Sequence, residues 1–140
     1  MSDDVRVIYS GGLQSQRGVA ILLDKDTEKR IIEIKQVSGR ILVVKVKSEP
    51  VNVVFIQVYM PTSEHDENEL DEMYDKMEEL IDKQTGSDNM IIMGDFNAVV
   101  GEGREDSMVG KYGLGSRNER EERLVKFCKR KQLVITSTWF

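Results

Sequence analysis

The chain has 140 residues, 39% of them hydrophobic, and a formal net charge of -5. These values predict one folded domain with a genuine core, and the aliphatic runs are far too short to span a bilayer. Because residues 1 to 20 contain no signal-type apolar segment, we expect an intracellular protein, nuclear or cytoplasmic, with no membrane partner. The single cysteine, Cys128, excludes an intramolecular disulfide and is predicted to be a buried structural thiol.

The charge is unevenly placed along the chain. Residues 64 to 82 hold ten acids and one base, so this segment is strongly acidic and the remainder is net positive. Residues 117 to 131 hold seven bases against three acids. Since binding to phosphates depends on the local potential at the contact, the acidic total is compatible with a nucleic-acid partner but does not by itself indicate one.

The first sixty residues read as strands separated by turns. β-branched residues are frequent in the predicted strands, and short turn segments such as Asp24-Lys25-Asp26 and Ser38-Gly39 separate them. Such short links make antiparallel neighbours, and alternating side chains predict one buried face, with Ile32 and Ile34 on it in one strand and Val44 and Val46 in the next. The predicted strands are Val5 to Tyr9, Gly18 to Leu23, Arg30 to Val37, Ile41 to Lys47 and Val51 to Tyr59.

An amphipathic helix is predicted after Pro61. Ser63 and Asp66 are spaced as a capping box at its start, and Gly86 ends it. Its apolar residues recur at three and four positions and leave the acids on the opposite face. A buried strand, Asn89 to Met93, follows, which predicts a strand-helix-strand unit on a mixed sheet. The apolar stripe consists of Leu70, Met73, Tyr74, Met77, Leu80 and Ile81.

The last third of the chain begins with a glycine-rich stretch. Residues 99 to 115 contain five glycines, which is typical of a long surface loop. A second helix is predicted from near Asn118, with Leu124, Phe127, Cys128 and Lys131 on one side. A final strand is predicted over Leu133 to Thr138.

Asp95 and Asn97 follow the predicted buried strand, and Tyr59 ends an earlier one. A common explanation is an Asp that caps a short helix and an Asn that tolerates a turn. If the two strands are parallel neighbours, however, Tyr59 and Asp95 emerge at the same edge of the sheet. A phenol, a carboxylate and a carboxamide would then lie together.

Four motifs in order carry a resemblance to a known family. They are Arg17 to Leu22, Val58-Tyr59-Met60-Pro61, Ile92-Met93-Gly94-Asp95-Phe96-Asn97 and Gly113 to Arg120. Together they resemble the endonuclease/exonuclease/phosphatase superfamily, most closely the endonuclease domain of RTE-class (BovB-like) retrotransposons and their host-genome derivatives. The resemblance implies a partial four-layer α/β sandwich of the DNase I-like type, with antiparallel and mixed strands and two main helices. It also implies that residues 1 to 140 are a single partial domain, truncated at both ends.

The same resemblance implies a Mg²⁺-dependent or Mn²⁺-dependent DNA endonuclease. Tyr59 would lie near the scissile phosphate, Asp95 would orient or deprotonate the attacking water, and Asn97 would donate to the phosphate or nucleophile. Asp95 and Asn97 would also be metal ligands, and Arg117 and Asn118 would bind substrate. The metal-binding Glu and the terminal His of the superfamily have no assigned counterpart here, so we expect weak turnover or none.

Two alternatives stay open. The chain is either a non-catalytic binding or structural remnant, or a phosphatase of the same superfamily that acts on another phosphoester. Truncation predicts open sheet edges and hence self-association. His65 is interpreted as a solvated residue, and Arg117, Arg120 and Arg123 as a charged helix face that could also follow a nucleic-acid backbone. Glu121 departs from the relatives, which tend to carry Gly there, so altered packing at the helix start is expected.

Overall fold

The computed structural model describes residues 4–11, 17–62, 66–84, 86–98 and 119–138. The chain divides into two compact units. The first comprises Met1–Met60 and Gln84–Phe96, and the second comprises Pro61–Lys83 and Asn97–Phe140. Among the helices described, none is long and apolar enough to cross a bilayer. The assignment of one domain to residues 1 to 140 stays a prediction.

The first unit contains a two-stranded hairpin and a four-stranded sheet. The hairpin pairs β1 (Val5–Gly11) with β2 (Gly18–Asp24) in antiparallel register. The four-stranded sheet has the order β3-β4-β5-β6, with β6 parallel to β5 and the other pairs antiparallel. The predicted strands and the mixed sheet are thereby confirmed, but the predicted burial of the strand Asn89 to Met93 is wrong. This strand lies at the edge of the sheet, and its residues are half-buried or exposed, with Ile91 47% exposed. The four strands are β3 (Ile31–Ser38), β4 (Ile41–Val46), β5 (Val53–Tyr59) and β6 (Asn89–Asp95).

A short helix follows the hairpin where the sequence predicts only a turn. The helix α1 (Lys25–Glu28) begins after Asp24, whose Oδ1 accepts a hydrogen bond of 2.7 Å from the amide of Thr27. This contact satisfies one of the free amides at the helix start and also lowers the pKa of the Asp24 carboxyl. A cap of this kind converts the expected turn into one helical turn.

The core of the first unit lies between the hairpin and the larger sheet. Alternate residues of β1, β2 and β4 point into it, as the two-residue period of strands requires. Val44 and Val46 are buried there as predicted. Phe55, Tyr59 and Met93 pack against the same cluster from β5 and β6. Its buried members are Ile8, Val19, Ile21, Leu23, Leu42, Val44 and Val46.

The prediction that Ile32 and Ile34 are buried is wrong. Their exposed fractions are 52% and 42%. The pairing of β3 with β4 shifts between Ile31 and Glu33, which leaves Ile32 without a register partner. Ile34 is paired with Val44, but it lies on the edge strand of the sheet, where fewer neighbouring side chains shield it from solvent.

Open strand edges and an exposed apolar surface both occur in the first unit. Among the described residues, β3 and β6 each have one edge with no strand partner. The outer side of the hairpin exposes Val5, Val7, Tyr9 and Leu22 by 44% to 67%. Both features favour pairing with another chain, and self-association stays a prediction.

The second unit contains α2 (Glu67–Asp82) and α3 (Glu119–Lys131). Five residues of the predicted stripe on α2 are buried, and α3 buries Leu124, Phe127 and Cys128 as predicted. Cys128 is a free, buried thiol whose pKa is raised by burial to about 11, which confirms its structural assignment. The five buried residues of α2 are Leu70, Met73, Tyr74, Met77 and Leu80.

Two local predictions for the second unit are corrected. The N-cap of α2 is Asp66, whose carboxylate accepts from the amide of Asn68 at 3.1 Å, whereas the predicted cap, Ser63, lies outside the described residues. The predicted strand over Leu133 to Thr138 is instead a 3-10 helix, Thr136–Thr138. The hydroxyl of Thr138 donates to the carbonyl of Ile135 at 2.7 Å, and this local bond favours a turn over a ladder.

Gly94 is required at its position in the ladder between β5 and β6. Its φ is +138°, and a Cβ atom at this position would lie 1.9 Å from the carbonyl oxygen of Val58, its register partner. No side chain fits at that distance, and positive φ is also unfavourable for other residues. The glycine therefore permits β6 to pair with β5 up to the next residue, Asp95.

We expect Gly94→Ala to lower the free energy of unfolding by more than about 2 kcal/mol, because strain at positive φ adds to a clash with backbone. Urea denaturation followed by circular dichroism measures the loss. Gly86→Ala is the matched control, since Gly86 also has positive φ but a Cβ there meets nothing within 4 Å. That control should lose only about 1 kcal/mol. Equal losses for the two variants would contradict the proposed clash.

Candidate functional site

Tyr59 and Asp95 are register partners at the ends of two parallel strands. The ladder between β5 and β6 ends with the pair Tyr59 and Asp95, and the amide of Met60 then donates to the carbonyl of Asp95 at 2.8 Å. Partners in register project to the same face of a sheet, so the phenol and the carboxylate share one side of its carboxyl edge. This juxtaposition is the one expected from the sequence.

Asp95 and Tyr59 differ in their exposure to solvent. Asp95 is exposed, whereas Tyr59 is half-buried and packs its ring against the core between the two sheets. The ring is thus held by apolar packing while the neighbouring carboxylate faces water. A carboxylate in that setting can accept a hydrogen bond or a proton.

Arg40 completes the surroundings of Tyr59, and the sequence interpretation missed it. Its side chain is 5% exposed, its guanidinium carbon lies 5.1 Å from the centre of the Tyr59 ring, and its Nη1 donates to the carbonyl of Tyr59 at 3.1 Å. The available signal was an arginine placed directly between the Ser38-Gly39 turn and an apolar strand. Charged residues in such positions are almost never fully buried without a specific partner.

Asn97 belongs to the second unit. Its φ is +47°, the left-handed conformation that Asn adopts more readily than most residues. Its backbone therefore agrees with the common explanation of a turn residue. The role of its carboxamide toward a phosphate or metal stays a prediction.

Three residues weighed in the sequence lie outside the described part of the chain. They are the predicted substrate contacts Arg117 and Asn118, and His65. Within the described ranges, no group of three His, Cys, Asp or Glu side chains is placed to hold a metal ion. Asp95 therefore has no such ligand group around it among those residues.

Two arginines of the predicted basic face, Arg120 and Arg123, bind other parts of the second unit. Arg120 donates to the carbonyls of Pro61 and Thr62 at 2.5 and 2.9 Å, and Arg123 forms an ion pair with Asp71. Arg123 also stacks 4.8 Å from the centre of the Tyr74 ring. These contacts favour a structural role for both arginines over contact with a nucleic-acid backbone.

Further along the same two helices, basic side chains of α3 form ion pairs with acidic side chains of α2. Arg130 and Lys131 contact Glu78 at 2.7 and 2.8 Å, and Lys131 reaches Asp82 at 2.9 Å. The hydrogen bond from Lys131 holds the pKa of Glu78 below its usual value, and the pKa of Lys131 is raised by its bonds to Glu78 and Asp82. At the helix start, Glu121 is fully buried, so its side chain is part of the packing there.

Comparison with known proteins gives two relatives and a solved structure. The chain is 36% identical to craniofacial development protein 2 of Bos taurus and 34% identical to that of Tragulus javanicus, each over 142 aligned residues and all of this chain. It covers 24% and 25% of those proteins, so it spans about a quarter of the length of the curated relatives it matches. No family model matches the chain.

The fold is similar to the endonuclease domain of TRAS1, a telomere-specific non-LTR retrotransposon. The TM-score is 0.61 at 15% sequence identity, over 91% of this chain and 52% of that one. The chain therefore has an α/β fold similar to that of this endonuclease domain, the DNase I-like type that the resemblance implied. At this identity the likeness establishes the fold and not the chemistry.

The Glu78 ion pairs predict a specific pH dependence of stability. A carboxyl whose pKa is lowered on folding stabilises the native state above its ordinary value near 4.5, and this stabilisation is lost as the pH falls through the lower, folded value. Glu78→Gln should therefore flatten the loss of stability below about pH 4.5. The raised pKa of Lys131 has the opposite effect, a loss of stability at alkaline pH, and this loss begins only above pH 10.5. Urea midpoints measured at a series of pH values test this.

The matched control for that series is Glu122→Gln. Glu122 lies on α3 with a long contact of 3.6 Å to Lys126 and an exposed side chain. This substitution should leave the loss of stability at acid pH the same as in the wild type. If both variants give the same pH profile as the wild type, the α2–α3 ion pairs do not govern acid stability.

Proposed function

We propose that this chain is the portion of a DNA endonuclease domain, a phosphodiester hydrolase, that presents Tyr59, Asp95 and Asn97 to the substrate. The observation that carries the proposal is the pairing of Tyr59 with Asp95 at the carboxyl edge of β5 and β6. Binding sites of α/β sheets form at such edges. The endonuclease-like fold supports the reaction class, and the retrotransposon-type motifs favour DNA over other phosphoesters.

In the proposed reaction, the oxygen of a water molecule attacks phosphorus in line with the leaving oxygen. The exposed carboxylate of Asp95 orients this water and accepts its proton as the new P–O bond forms. The bond to the leaving oxygen breaks, and that oxygen takes a proton from solvent. The phenol of Tyr59 and the amide of Asn97 donate hydrogen bonds to the phosphoryl oxygens, where negative charge develops. Arg117 and Asn118 are proposed contacts to the substrate.

A divalent metal is part of the expected chemistry of such domains. Mg²⁺ or Mn²⁺ prefers oxygen ligands, and Asp95 and Asn97 could supply two of about six. The described residues do not fit a complete site, because they contain no group of three candidate ligands. We therefore assign no step of the reaction to a metal.

The second candidate function is the non-catalytic binding or structural module that the sequence left open. A domain can keep its fold while lacking groups that its chemistry needs, since function depends on the site and not on the fold. Loss of a single catalytic group typically costs about 10²-fold to 10⁴-fold in rate. Slow but measurable nicking is accordingly expected if the chain is a nuclease, whereas the binding or structural module predicts none.

Nicking of supercoiled plasmid in the presence of Mg²⁺, with an EDTA lane beside it, tests the proposal. Asp95→Asn should lower the nicking rate by about 10²-fold or more, because it removes the proton acceptor and keeps the shape. The control is Asp26→Asn, which makes the same change at an acid in the first unit whose side chain is 89% exposed. Its rate should equal that of the wild type.

Equal nicking by the wild type and Asp95→Asn would overturn the endonuclease proposal. Fluorescence anisotropy with a labelled duplex, at two salt concentrations, then separates the remaining possibilities. Salt-dependent binding without turnover supports the binding module, since contacts to phosphates weaken as counterions compete.

A further inference from the structure

Arg40 is a buried cation in the first unit. It lies after the β3–β4 turn, where its amide donates to the hydroxyl of Ser38 at 3.1 Å, and its side chain is 5% exposed. The turn is fixed in addition by Ser10, whose hydroxyl donates to the carbonyl of Ser38 at 2.5 Å. Burial of a guanidinium is unfavourable unless its surroundings compensate for the lost water. The contacts that Arg40 makes are therefore specific to this position.

Three contacts join Arg40 to Tyr59. The amide of Tyr59 donates to the carbonyl of Arg40 at 2.9 Å, the Nη1 of Arg40 donates to the carbonyl of Tyr59 at 3.1 Å, and the guanidinium lies over the phenol ring. A planar guanidinium can stack on a ring and donate at its edge at the same time, which an ammonium cannot do. Arg40 thus contacts both the backbone and the ring of Tyr59.

The peptide group between Tyr59 and Met60 is bonded on both sides. Its carbonyl accepts from Arg40 at 3.1 Å, and its N–H donates to the carbonyl of Asp95 at 2.8 Å. A displacement of that peptide would move both the Tyr59 ring and the end of β6. Arg40 is therefore linked to Asp95 through one rigid peptide plane.

We propose that Arg40 is a positioning residue that fixes the ring of Tyr59, and through the Tyr59–Met60 peptide the end of β6, so that the phenol and the Asp95 carboxylate keep their relative placement. The catalytic consequence rests on the proposed endonuclease function. The structural link does not. A direct contact of Arg40 with a phosphate is a different role, and at 5% exposure little of the side chain is available for it.

The first test is structural and uses ¹H–¹⁵N spectra of the full chain. A proton over an aromatic face has a ring-shifted resonance, so the Arg40 side-chain signal should move in Tyr59→Leu and hold its position in Tyr59→Phe. Arg40→Met should shift the amide signals of Met60 and Asp95. Arg30→Met is the matched control, because Arg30 is an exposed arginine of the same unit. Unchanged Met60 and Asp95 signals in Arg40→Met would overturn the inference.

The second test is kinetic. Arg40→Met should lower kcat for plasmid nicking by about 10-fold to 10²-fold, since small misplacements of reacting groups are that costly, with KM changed by less than about threefold. Arg40→Lys should recover part of kcat, and Arg40→Met should add no further loss in a Tyr59→Leu background. A raised KM together with a smaller salt dependence would instead indicate a direct phosphate contact and overturn the proposal.

The two tests fail in different ways. If the wild type shows no nicking, the proposed function fails, and the spectra still decide whether Arg40 holds Tyr59 and Asp95 together. If Arg40→Met does not fold, Arg40→Lys replaces it in both tests. The lysine keeps the charge but cannot stack on the ring and donate a hydrogen bond to the backbone at the same time. Folding of each variant is checked by thermal unfolding.

Discussion

The pairing of Gly94 with Val58 is the constraint on which the candidate site depends. A Cβ atom at Gly94 would lie 1.9 Å from the carbonyl oxygen of Val58, so only a residue without a side chain can pair with Val58 in this backbone conformation. The next register pair is Tyr59 and Asp95. A single glycine in the sequence thus permits the pairing that brings a phenol and a carboxylate to one edge.

The sequence predicts features that depend on local periodicity. Alternation locates the strands of the first unit, and the three-and-four spacing locates the buried side of α2, because each pattern reflects one regular geometry. The predicted burial of Ile32 is wrong because a bulge shifts the register of β3, and the alternation of apolar and polar residues in the sequence does not reveal that shift. The segment before Thr138 has the composition of a strand, but the Thr138 hydroxyl closes a turn. Arg40 was missed because its contacts join residues 19 positions apart.

The charge pattern shows why counts of residues overstate a basic surface. Residues 117 to 131 hold an excess of bases, yet Arg123, Arg130 and Lys131 are paired with acids of α2 inside the same unit. Each such pair contributes little to stability on its own, since exposed ion pairs are screened by water and salt. Their combined effect is to direct the bases toward α2, where the rings of Tyr74 and Phe127 pack with centres 5.1 Å apart. The acidic and basic segments of the sequence are thus two halves of one helix pair.

The placement of Tyr59 and Asp95 is fixed by contacts among the residues of the first unit. The Tyr59 ring packs on the core between the two sheets, the end of the ladder fixes Asp95, and the Arg40 guanidinium bonds the peptide between them. Apolar packing and hydrogen bonds within the chain provide these contacts. Selection for a stable domain can therefore preserve this edge of the sheet even where phosphodiester cleavage is not selected. The arrangement is necessary for the proposed chemistry, and it is stabilised by forces that are independent of that chemistry.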